Sequence, residues 1–258
     1  MIYEIYRING RIRFSIFKVE KGYKIFLKSI QTIISNLSAR RETNKTIMKK
    51  LLVSLSVLLL ATASFAQSDR YQKGMEKTMT ILDSAKSSND YTSVAAAFER
   101  IGDAEKTQWL PYYYAAFANI MKGFQDQKVN KDEVATKAEE MLTKAQAIEP
   151  KNSEIFVLKN MASTLHMLVD PQTRWQQYGA KGNEALATAK QLNPNNPRAY
   201  LMEGQGIFGM PAQFGGGKDK AKPIFEKSVA LFNAEKPASS LTPHWGKSSA
   251  ERMLALCK

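Results

Sequence analysis

Residue types that most often carry chemistry are sparse in this chain of 258 residues. His166 and His244 are the only histidines, and neither has Cys, Asp or Glu at metal-ligand spacing, so packing or surface placement is expected of both rather than a metal site. The single cysteine, Cys257, excludes an internal disulfide and reads as an apolar residue closing a last helix, with a partner-linked thiol as the alternative. No nucleophile elbow and no Cys–His pairing is present. The glycine-rich stretch 206–219 invites a phosphate-loop reading, which needs a glycine five before the Gly217-Lys218 pair and Ser or Thr directly after it. Ala212 and Asp219 break both demands, leaving a long flexible loop that feeds the next helix. No catalytic residue, cofactor or metal is assigned, and an enzyme is not expected. The densest aromatic cluster is residues 109–117, Trp-Leu-Pro-Tyr-Tyr-Tyr-Ala-Ala-Phe. Consecutive aromatics on a helix cannot share one face, so some of them must point away from the helix's own packing side.

The elements that would position these residues emerge from a repeat. Ala138, Leu142, Ala145 and Pro150 are spaced by four, three and five, and Gly182, Leu186, Ala189 and Pro194 repeat that spacing 44 residues later. Ala221, Phe225 and Ser228 keep the small, large, small order, and Val94, Phe98 and Ile101 give a fainter copy. Small residues let two helices approach, the large one fills the space between them, and proline ends the second helix. Apolar residues recur at three and four along 75–85, 94–101, 110–120, 134–148, 155–168, 180–192, 199–208 and 221–232, which predicts helices there. A last helix is expected over 247–256, as a cap.

This pattern resembles the tetratricopeptide repeat, whose second helix carries the same small, large and small residues before a terminal proline. Junctions at residues 148–154 and 192–200 match the family's boundary between repeats. First helices then start near Trp109, Ser153 and Pro197. Tyr200 and Gly204 suit the family's aromatic and small positions, as do Tyr112 and Ala116; Phe156 also fits, but Asn160 stands where a small residue is expected. The period, 44 and then 39, exceeds the family's and implies longer helices or inserted loops. The resemblance implies an all-α helical-hairpin solenoid of three to four degenerate repeats with a C-terminal capping helix, spanning 67–258.

It also implies a concave face lined by the second, fifth and ninth residues of each first helix. These are Leu110, Tyr113 and Phe117, then Glu154, Val157 and Met161, then Arg198, Leu201 and Gln205. Leu110, Tyr113, Phe117, Val157, Met161, Leu201 and Gln205 make a candidate groove for a peptide or helix of another exported protein, as in a scaffold of the bacterial cell envelope. A second possibility is a periplasmic accessory protein that binds a small molecule or lipid. It draws on the glycine-rich turn before the Ala221-x-x-x-Phe225 helix, which is similar to repeat proteins accompanying some solute transporters. A third is that inserted loops fold over this face and bury it.

The same domain is preceded by an export signal. Lys49 and Lys50 lead an apolar run over 51–60, and Ser64-Phe65-Ala66 supplies small residues for cleavage after Ala66. Residues 48–66 therefore read as a signal peptide and the mature protein as periplasmic or secreted. The run is too short for a membrane span of roughly 20 apolar residues. Residues 1–47 hold 10 Ile, whereas 67–258 hold 7, and their composition fits a misassigned start whose leader is disordered or absent. A basic amphipathic extension suited to an anionic membrane is the alternative. The first 66 residues carry 12 Lys and Arg against 3 Asp and Glu, so most of the formal net charge of +13 precedes the cut. The mild remainder excludes a nucleic-acid footprint as the expected partner surface.

Overall fold

A computed structural model describes residues 5–8, 11–14, 27–33 and 69–258. The expected signal peptide and its cleavage point lie outside the described residues. The chain divides into two units, Met1–Phe65 and Ala66–Lys258. In the first, strands β1 (Ile5–Ile8) and β2 (Arg11–Phe14) pair antiparallel with Ile5 opposite Phe14, and residues 27–33 form helix α1. The reading of the sequence did not anticipate these elements.

The second unit is an all-α helical repeat. Its helices are α2 (69–84), α3 (Ser88–Glu105), α4 (Trp109–Gln125), α5 (Lys131–Ile148), α6 (Ser153–Met167), α7 (Pro171–Leu192), α8 (Pro197–Gly209), α9 (Lys218–Ala234) and α10 (Lys247–Leu256). First helices α4, α6 and α8 begin at the three positions that the repeat spacing predicts. The junctions work through their asparagines and prolines. Asn152 accepts from the Glu154 amide, and Asn196 accepts from the amides of Arg198 and Ala199, with Pro197 as first helical residue. Asn130 caps α5 and Asp170 caps α7 in the same way.

The long period is explained by longer helices. Helix α7 runs 22 residues, starting nine before the predicted 180, because Asp170-Pro171 nucleates it early. The glycine-rich stretch corrects the expectation of a flexible loop. It folds into a 3-10 turn, Ala212–Phe214, closed by Gly216 N–H to the Pro211 carbonyl and Gly217 N–H to that of Ile207. A Cβ on Gly216 would fall 2.1 Å from the Met210 carbonyl oxygen, so glycine is needed for that approach.

Ala138, Leu142, Ala145, Leu186, Ala189, Ala221, Phe225 and Ser228 are all buried, as the repeat pattern requires. Asn160 is accommodated by an exchange of sizes between paired helices. Its side-chain amide donates to the Gly182 carbonyl, and a Cβ at Gly182 would stand 3.0 Å from that nitrogen. Where the first helix carries the larger residue, the second carries none. Helix α10 packs on α9 and α8 as the cap, with Cys257 buried just after it. Among the described residues no helix is long and apolar enough to cross a membrane.

Candidate functional site

The expected concave face assembles, yet it is not open. Tyr113, Phe117, Val157, Met161 and Leu201 are buried, while Leu110 and Gln205 are half-buried. The strap between α9 and α10, residues 235–246, covers Tyr113, Phe117 and Leu201. Trp245 stacks on Phe117 with ring centroids 4.9 Å apart and donates its indole N–H to the Tyr113 hydroxyl at 2.8 Å. Tyr114 donates to the Leu241 carbonyl at 2.9 Å, and Leu241 is itself buried. Helix α2 closes the outer side, where Gln72 and Glu76 bond Ser240 and Asp83 pairs with His244 at 3.1 Å. Of the possibilities raised for this face, an open groove gives way to burial under a connecting segment: Tyr113 and Phe117 pack against the chain's own strap.

Beneath the strap lies a polar cluster. Arg198 is 1% exposed and reaches Glu235 at 2.7 Å, Glu154 at 3.4 Å and the Pro243 carbonyl. Glu154 also accepts from Tyr113 at 3.1 Å and from Asn196 at 2.8 Å. Burial raises the Glu154 carboxyl above its ordinary value, with Arg198 acting against that rise. Burial alone would lower Arg198; Glu154 and Glu235 more than offset it and raise it. Burial also pushes the Tyr113 hydroxyl well above its usual range. A guanidinium whose two terminal nitrogens are held by two carboxylates and a carbonyl pins the strap, although its buried Nε has no partner. Its sequence signal was available: Glu154 and Arg198 are equivalent positions of successive repeats with opposite charges.

His166 is buried and engaged. Its Nδ1 lies 2.6 Å from Asp132, which also binds Arg174 at 2.8 Å, and its ring stacks on Tyr178 at 4.8 Å. These groups tie α5, α6 and α7 together. His166 and Arg174 hold the Asp132 carboxyl below its ordinary value.

Unpartnered apolar surface lies elsewhere. Leu168, Val169, Trp175, Met210 and Phe214 are exposed, Trp175 by 58% and Phe214 by 69%. Helix α7 packs against both α6 and α8; Leu168 and Val169 sit in the α6–α7 turn, Trp175 near the start of α7, and Met210 and Phe214 in the α8–α9 connection. Three exposed lysines, Lys218, Lys220 and Lys222, follow Phe214 on α9. Periodicity could not reveal this surface, because its members come from separate turns.

No family model matches the chain, and no curated protein matches it either. Among solved structures, the chain is similar to the HusA haemophore from Porphyromonas gingivalis, with 41% identity and a TM-score of 0.68 over 73% of this chain and 92% of that one. It is also similar to a TPR protein of Thermus thermophilus, with 17% identity and a TM-score of 0.52 over 72% and 80% of the two chains, a likeness of fold alone.

Proposed function

The chain belongs to the family of the HusA haemophore, and from that premise we propose that it is an exported, non-catalytic binding module for haem or a related tetrapyrrole. The observation that carries this reading is 41% identity across 92% of the haemophore. Two features of this chain support it. Trp245 of the strap occupies the concave face at Tyr113 and Phe117, which leaves the exposed surface outside it for a ligand. Exposed Met210 and Phe214, followed by exposed Lys218, Lys220 and Lys222, and exposed Trp175 on α7, offer apolar contact for a macrocycle and cations for its propionates. The export signal read over residues 48–66 supports a place outside the cytoplasm.

Titrating the purified protein with haemin, and following the Soret band together with tryptophan fluorescence, tests the proposal. A saturable change in both signals at micromolar haemin is expected, and the absence of any saturable change overturns it. A second reading, a scaffold whose concave face takes a peptide of another exported protein, has one observation in its favour. That face already holds a segment of chain, residues 235–246, through stacking and hydrogen bonds. Pull-down of an envelope protein by Trp245→Ala but not by the unaltered protein would favour it.

A further inference from the structure

On the side of the solenoid away from the strap, the seam between α5 and α7 opens over α6 into a cavity of about 310 Å³. That is at the lower end of the roughly 300–1,000 Å³ typical of small-molecule pockets. Four charged side chains line it: Glu139, Lys159, Lys181 and Glu184. Lys181 bridges the seam to Glu139 at 2.7 Å. Lys159 sits over the Phe156 ring, 5.2 Å from its centre, and donates to the Gln146 carbonyl oxygen of its side chain. Glu184 has no ion-pair partner among the described residues. At the floor, the Ser163 hydroxyl is 0% exposed and has no hydrogen-bond partner.

A buried hydroxyl without a partner is unfavourable unless something else satisfies it. The cavity supplies the room for that partner. Two cations and two anions balance, so a ligand of single charge leaves one half of the pocket unmatched, whereas a ligand bearing both charges matches Lys159 and Glu184 together. Burial also holds the Lys159 ammonium below its ordinary pKa, so a carboxylate beside it meets an under-compensated cation.

We propose that this cavity binds a small zwitterion, a free α-amino acid or a dipeptide, with its carboxylate on Lys159, its ammonium on Glu184, its apolar body against Phe156 and a polar atom on Ser163. The site is separate from the exposed apolar side chains and does not depend on the tetrapyrrole reading.

Nuclear magnetic resonance titration of the full chain with L-leucine and with glycyl-L-leucine tests it, with acetate and isobutylamine as single-charge probes. Saturable shifts confined to residues 139–143, 156–163 and 181–188 are expected for the zwitterions at millimolar concentration or below, and weaker ones for either single charge. Lys159→Met should abolish them while the helical circular dichroism spectrum and the rest of the amide spectrum are kept. Ser163→Ala should weaken them about tenfold, the loss of one hydrogen bond. Without ligand that variant should melt no lower than the parent, because it removes an unsatisfied hydroxyl. A lower melting temperature would assign Ser163 a purely structural role and overturn the proposal. So would an acetate response equal to that of L-leucine, or no saturable response at all.

Discussion

Glu154 and Arg198 stand at the same position of consecutive repeats, 44 residues apart, and their side chains meet at 3.4 Å beneath the strap. One repeat supplies the anion, the next supplies the cation, and Glu235 and the Pro243 carbonyl of the strap complete the cluster. A solenoid that would otherwise present a concave face has thereby acquired an internal core. The aromatic cluster of α4, in particular Tyr113 and Phe117, packs against Trp245 instead of facing solvent.

Removal of the cation should be severe. Arg198→Met leaves Glu154 and Glu235 without their charge partner, and breaking a buried pair in this way costs about 3–5 kcal/mol. Urea unfolding of the two proteins measures it. Adding Glu154→Gln and Glu235→Gln to Arg198→Met should recover part of the loss. A single variant as stable as the parent would show that the strap is held by apolar contacts alone.

The same cluster sets a pH dependence. Burial raises the folded Glu154 carboxyl above its ordinary value of 4.5, so folding favours its protonated form. This group's contribution is fully present below the ordinary value and is lost as pH rises through the folded one. Glu154→Gln should flatten that part of the curve. Melting temperature against pH for both proteins checks the sign, and a steeper fall in the variant would contradict it.

A third test concerns the exchange between Asn160 and Gly182. Gly182→Ala should destabilise the parent, because the new Cβ stands 3.0 Å from the Asn160 nitrogen. In an Asn160→Ala background the sign should reverse, since alanine is favoured over glycine within a helix by roughly 0.5–1 kcal/mol. A double-mutant cycle by chemical denaturation reads the coupling directly. Additive effects would mean that the two residues do not compensate one another.

Much of this architecture was legible in the sequence because repeats write the same packing demand several times. Ala138, Leu142 and Ala145 recur as Gly182, Leu186 and Ala189, and the asparagine and proline at each junction mark where first helices begin. Covering of the concave face by a loop could be raised from the sequence, but which segment does so was not legible. Residues 235–246 have no apolar period, and Trp245 acquires its role only from Phe117 and Tyr113, more than a hundred positions earlier. The exposed apolar side chains escaped for a related reason. Leu168, Trp175 and Phe214 lie in three separate segments, and their exposure is set by what packs on α6, α7 and α8 and not by a period in the sequence. His166 looked isolated in sequence because Asp132 and Arg174 reach it from neighbouring helices rather than at ligand spacing.

The most direct test of a tetrapyrrole-binding surface is haemin titration of the parent beside a Met210→Ser, Phe214→Ser variant. Both side chains are exposed, so the variant should melt within a few degrees of the parent. Lost burial of each such side chain is worth up to about 1.5–3 kcal/mol, so the affinity of the double variant should fall by about a hundredfold or more. Saturable binding by the parent and that loss in the variant is the predicted result. Equal affinity in the two proteins would contradict the placement at these side chains, and no binding by the parent would contradict the function itself.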